Sequence, residues 1–150
     1  MFDEKGPNTM SILIHPPVPN SKLTLPNVGN QIVAGFPSPA EDYLEAMLDL
    51  NQALIKNPSA TFYGRVKGVS MKDAGVDPGD LLVIDKSLAY RNNALAVCFL
   101  DGEFTLKRIK TEGDTLLLMP ANPDYQPIVV KEDADFAVWG IVTYIIKRVY

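Results

Sequence analysis

A chain of 150 residues with 47% hydrophobic content can bury one good core and is too short for two ordinary domains. Its 14 Lys and Arg stand against 18 Asp and Glu, a net charge of −4, which argues against a surface built to neutralise nucleic-acid phosphates and points to protein partners. One cysteine, Cys98, and one histidine, His15, exclude an internal disulfide framework and a zinc site of ordinary His/Cys composition, so no metal or cofactor is expected.

Seven of the twelve prolines fall within the first 39 residues, from Pro7 to Pro39. Each removes a backbone donor and restricts its neighbour, so this stretch is expected to be an extended arm with little regular structure. Two short apolar runs within it, Ser11–Ile14 and Gln31–Ala34, suit edge strands or docking on a folded body. Ser38, Pro39 and Glu41 then form a capping box, and Tyr43, Leu44, Met47 and Leu48 recur at helical spacing, which predicts a helix. Asp49 and Gln52 restart a second short helix through Leu50, Leu54 and Ile55, which Pro58 stops. Beyond Pro58 the expected strands are Thr61–Val69, Asp80–Asp85, Ala94–Leu100, Glu103–Lys110, Thr115–Met119, Pro127–Val130 and Phe136–Val149. Asp101-Gly102 is a two-residue hairpin signal, and Asp77-Pro78-Gly79 and Glu112-Gly113-Asp114 supply further turns. Closely spaced strands without intervening helices predict a mainly β, antiparallel barrel or sandwich.

No apolar run approaches the roughly 18 residues of a transmembrane helix. Met1-Phe2-Asp3-Glu4-Lys5 lacks the basic-then-apolar plan of a signal peptide. The expectation is a soluble, cytoplasmic protein with no membrane contact.

Three features bear on chemistry. Ser70, in Gly68-Val69-Ser70-Met71, lies where a β run meets a turn, the setting in which a nucleophilic hydroxyl is exposed beside free backbone N–H groups. Serines at strand ends are ordinarily turn formers. Lys107, in Phe104-Thr105-Leu106-Lys107-Arg108, shares its strand face with Thr105 and Ile109. A mid-hairpin lysine is ordinarily solvated, but burial would lower its pKa and let a neutral amine act as a base. Ala34-Gly35 is a small-residue pair in an extended arm, acceptable to a protease cleft and equally ordinary for a linker.

Several segments in colinear order carry a resemblance. Ala34-Gly35-Phe36-Pro37-Ser38-Pro39-Ala40, Asp49-Leu50-Asn51-Gln52 and Pro58-Ser59-Ala60-Thr61 are similar to the UmuD family of self-cleaving accessory subunits of error-prone DNA polymerase. That family is related to the LexA repressor's protease domain, and both are S24-type serine peptidases. Gly68–Met71 with Asp77–Asp85 resembles the family's nucleophile segment, and Gly102–Arg108 its lysine segment. Leu118–Asn122 and Val138–Val142 resemble later strands, so the likeness spans about residues 32–147. It implies a LexA/signal-peptidase-like β-rich domain, residues 35–150, preceded by an extended N-terminal arm, residues 1–34, and a short helix.

The resemblance further implies that Ser70 is the nucleophile, Lys107 the general base and Ala34–Gly35 the self-cleaved bond. Many UmuD proteins carry Cys-Gly there; Ala-Gly is the LexA pairing. It implies a homodimer, a RecA filament on single-stranded DNA as activator in the SOS response to DNA damage, and a UmuC-like translesion polymerase as partner. The Pro-broken first residues cannot hold a helix-turn-helix, which agrees with the acidic charge in excluding sequence-specific DNA binding. Two other readings stay open: a non-catalytic dimeric adapter for the polymerase or RecA filament, and a signal-peptidase-like enzyme, which lacks any anchor here.

Overall fold

The computed structural model describes residues 12–15, 24–28, 44–68 and 71–150. In chain order the strands are β1 (Ile12–His15), β2 (Thr24–Val28), β3 (Leu44–Asp49), β4 (Thr61–Val66), β5 (Leu81–Asp85), β6 (Leu95–Leu100), β7 (Glu103–Glu112), β8 (Thr115–Met119), β9 (Ile128–Val130) and β10 (Phe136–Ile146). One helix of five residues, α1 (Leu50–Leu54), follows β3. The described residues fall into two compact units. One contains β2, β3 and α1; the other contains β1 and everything from Asn57 onward.

The second unit is an eight-stranded sheet in the order β1-β4-β5-β10-β6-β7-β8-β9, antiparallel at every pairing. Asp101 and Gly102 turn β6 into β7 with φ of 48° and 89°, the left-handed pair that a two-residue hairpin with the right twist requires. β10 is bulged between Val138 and Gly140. A Cβ on Gly140 would lie 2.6 Å from Ile84 Cγ2, so only glycine lets β10 lie this close to β5.

Period-two alternation splits the core between the two faces of the sheet. Val97 and Leu106 join Ile12, Val66, Leu82, Ile84, Met71 and Val76 in one buried cluster. Ala96 and Cys98 turn the other way, with Ile109 and Leu118, into a second. Ile12 on β1 and Leu106 on β7 share the first cluster although four strands separate them in the sheet order, so the sheet curls around it.

The mainly β expectation holds, and the strands after Pro58 match to within a few residues at their ends. Two local expectations do not. The helix read through Tyr43–Leu48 is, over its described part, strand β3, which pairs antiparallel with β2 (Leu48↔Leu25, Leu44↔Val28). Leu, Glu, Ala and Met favour helix locally, but the ladder with a distant strand overrides so weak a preference. The Pro-rich arm, expected to hold little regular structure, contributes β2 as well as β1; β1 itself falls on the Ser11–Ile14 run read as an edge strand, and it lies at the edge of the sheet. Pro26 is tolerated because it falls where the β2–β3 register shifts, between Leu25 and Asn27, and no ladder N–H is needed there. The restart at Asp49 is present: its carboxylate caps α1, accepting from Asn51 N at 2.9 Å. The Gln31–Ala34 run and the Ser38 cap lie outside the described residues.

Candidate functional site

Strand β7 decides the environment of Lys107. Its ten residues alternate, sending Phe104 and Leu106 to the first cluster and Thr105, Lys107 and Ile109 to the other face. The β6 register sets Ala96 opposite Lys107 and Cys98 opposite Thr105. β8 flanks the other side, with Leu118 opposite Ile109. The lysine therefore stands among a small residue, a thiol and aliphatic side chains, with 0% of its surface exposed.

Two of its amine's hydrogen bonds are made within its own strand. Nζ donates to Thr105 Oγ1 at 3.0 Å and to the Leu106 carbonyl at 3.1 Å. Burial disfavours the ammonium form and lowers the pKa from 10.5 to about 8, the expected direction for a cation removed from water. The neighbouring Cys98 thiol is pushed up to about 12, again by burial. It stays protonated at neutral pH and so provides no anion to hold Lys107 charged. A neutral amine carries two hydrogens, and Thr105 Oγ1 and Leu106 O are two acceptors. Donating both hydrogens to these acceptors would orient the amine, as a general base requires.

Ser70, Ala34 and Gly35 lie outside the described residues. Val69 also lies outside them, so the nearest described residues on either side are Gly68 and Met71. On one side Gly68 has φ of 93°. On the other, Met71 is wholly buried in the first cluster, and its carbonyl accepts from Ala74 N at 3.0 Å and Val76 N at 3.3 Å. Asp73 N donates to Ala121 O at 2.6 Å, tying this segment to the loop that follows β8. Farther on, the buried Asp80 carboxylate accepts from Asp77 N at 2.9 Å and from Lys147 Nζ at 2.5 Å. Lys147 also bridges to Asp77 at 2.7 Å.

The sequence reading found Lys107 and the face it shares with Thr105 and Ile109. It missed the wall supplied by Ala96 and Cys98, which follows from strand register. It also missed the Asp77–Asp80–Lys147 clamp, in which Lys147 lies 70 and 67 residues from Asp77 and Asp80 along the chain. Among the described residues, no group of three His, Cys, Asp or Glu is placed to hold a metal ion, and no helix is long and apolar enough to cross a membrane.

Residues 26–143 match the family model described as Peptidase S24-like. Among curated relatives, the chain is 38% identical over 139 residues to Protein SamA of Salmonella typhimurium, covering 93% of this chain and 96% of that protein. It is 38% identical over 148 residues to Protein ImpA of Shigella flexneri, covering 93% and 97%. With Protein MucA of Escherichia coli the identity is 37% over 122 residues, covering 81% and 83%.

Proposed function

Because this chain belongs to the Peptidase S24-like family, we propose that it is a self-cleaving serine peptidase of UmuD type that uses Ser70 and Lys107 to cut its own Ala34–Gly35 bond. The observation that carries the reading is the buried Lys107 amine, held by Thr105 and Leu106 with a pKa near the physiological range. Burying an ammonium costs stability, and a lysine whose only task was solubility would face water.

The chemistry is acyl transfer by a Ser–Lys dyad. Neutral Lys107 Nζ takes the proton of Ser70 Oγ as the oxygen attacks the Ala34 carbonyl carbon. Backbone N–H groups at Ser70 and a neighbour stabilise the oxyanion. The ammonium so formed returns its proton to the Gly35 nitrogen as the C–N bond breaks. Water, deprotonated in turn by Lys107, then hydrolyses the Ala34 ester and frees Ser70. The products are residues 1–34 and 35–150.

The larger product is read as the accessory subunit of an error-prone polymerase in SOS mutagenesis, with a RecA filament promoting the cut. Tyr144, Ile145 and Ile146, 36–41% exposed on β10, support a homodimer. The deciding experiment is mass spectrometry of the purified chain after alkaline incubation. Fragments 1–34 and 35–150 are expected from the unaltered chain and none from Ser70→Ala. An intact mass at every pH would refute autocatalysis and leave the non-catalytic adapter.

A further inference from the structure

The eight-stranded sheet draws one strand, β1, from the N-terminal side of the proposed cut; the other seven come from beyond residue 60. β1 lies on the outer edge of β4 with the register Ile12↔Val66, Leu13↔Arg65, Ile14↔Gly64 and His15↔Tyr63. Ile12 is 8% exposed within the first core cluster, and Ile14 packs against it. Gly64 is shaped to this occupant: a Cβ there would stand 2.8 Å from Ile12 Cγ2 and 2.8 Å from Ile84 Cδ1. The missing side chain is the slot that receives the isoleucine.

We propose that the edge of β4 is a strand-acceptor site, occupied by Ile12–His15 in the uncut chain and opened by self-cleavage to an extended apolar segment of a partner protein. The proposal rests on the Ala34–Gly35 cut put forward above. Before the cut, β1 is tethered to the body and competes at high effective concentration; afterwards it belongs to a separate piece, and that advantage falls. The resident strand is also a weak competitor. Its described register runs as far as Tyr63, while β4 continues to Thr61, and Pro16 and Pro17 have no N–H with which to extend the ladder. A partner strand free of proline gains pairs opposite Phe62 and Thr61 that β1 cannot make. Ladder hydrogen bonds give such a strand its hold, and the Gly64 slot selects a branched apolar residue at the Ile12 position with a second apolar residue two places on.

The test uses the full chain and reads cleavage separately from strand exchange. Mass spectrometry first establishes whether the chain cuts itself. If it does not, the Ser–Lys reading fails, and a site-specific protease sequence placed at the 34–35 junction supplies the same nick. Hydrogen exchange then follows the β4 amides with and without a labelled peptide of sequence Met10–Pro16 in which Pro16 is replaced by valine. In the nicked chain the peptide is expected to bind with a stoichiometry of one and to keep the β4 amides protected. In the uncut chain its binding should be at least tenfold weaker. Uncut Ile12→Asp should exchange its β4 amides at least tenfold faster while β6 and β7 stay protected, and the peptide should restore that protection. Equal peptide binding by cut and uncut chains overturns the proposal, as does unchanged β4 exchange in Ile12→Asp. Should Ile12→Asp also strip protection from β6 and β7, the unaltered nicked chain decides alone, and absence of peptide binding there refutes the site.

Discussion

Raising the pH from 6 to 11 perturbs the proposed base with no change in sequence, and the structure fixes the shape of the response. With a Lys107 pKa of about 8, about 9% of the amine is neutral at pH 7, about half at pH 8 and about 90% at pH 9. A solvated lysine near 10.5 would be roughly 0.03% neutral at pH 7. The first-order rate of self-cleavage should therefore rise about tenfold between pH 7 and 9 and stay level above that. The cause is desolvation by Ala96, Cys98, Ile109 and their neighbours, so the midpoint should respond to that wall. Cys98→Ser, which brings a stronger hydrogen-bonding group beside the ammonium, should move the midpoint upward. Timed samples quenched in acid and quantified by intact-mass spectrometry give the rate at each pH. A rate still climbing in proportion to hydroxide at pH 10 would mean a solvated Lys107. A rate level from pH 6 to 10 would mean that no lysine base operates.

Lys107→Met should raise stability at pH 7 while abolishing cleavage. The folded pKa lies below the unfolded value, so below pH 8 the native state bears the cost of the buried charge, and stability rises with pH between about 8 and 10.5. Over that window the unaltered chain should gain on the order of 3 kcal/mol in denaturant unfolding, and Lys107→Met should not. Lys107→Arg should leave the chain uncut at pH 7 and pH 10 alike in the mass assay, since a guanidinium stays protonated. Gly35→Glu should block cleavage and Ala34→Cys should retain it, as judged on gels after alkaline incubation; normal processing of Gly35→Glu would move the scissile bond elsewhere in the arm. Gly140→Ala, whose Cβ would meet Ile84 Cγ2 at 2.6 Å, should cost about 1–3 kcal/mol in urea unfolding, and an unchanged midpoint would show that β10 can move away from β5.

The strands after Pro58 were legible in the sequence because β-type runs and turn residues act locally. Asp101-Gly102 names its own turn, and Thr115–Met119 carries its boundaries in the Gly113-Asp114 and Pro120 that flank it. The order of the sheet was not legible, because the pairing of β10 with both β5 and β6 joins residues that no sequence period connects. Tyr43–Leu48 reads as helix for the same reason: its residues prefer that state by tenths of a kcal/mol each, and only the ladder of Leu44–Asp49 with Thr24–Val28 outweighs them. The sequence alone supplied a serine, a lysine and a small-residue pair in a recognisable order. Tertiary structure decided that the lysine is buried. Its alternation on β7 was visible beforehand, but whether that face meets water or Cys98 and Ala96 depends on which strand lies alongside. Removal from water, rather than residue type, brings the amine to a pKa of about 8.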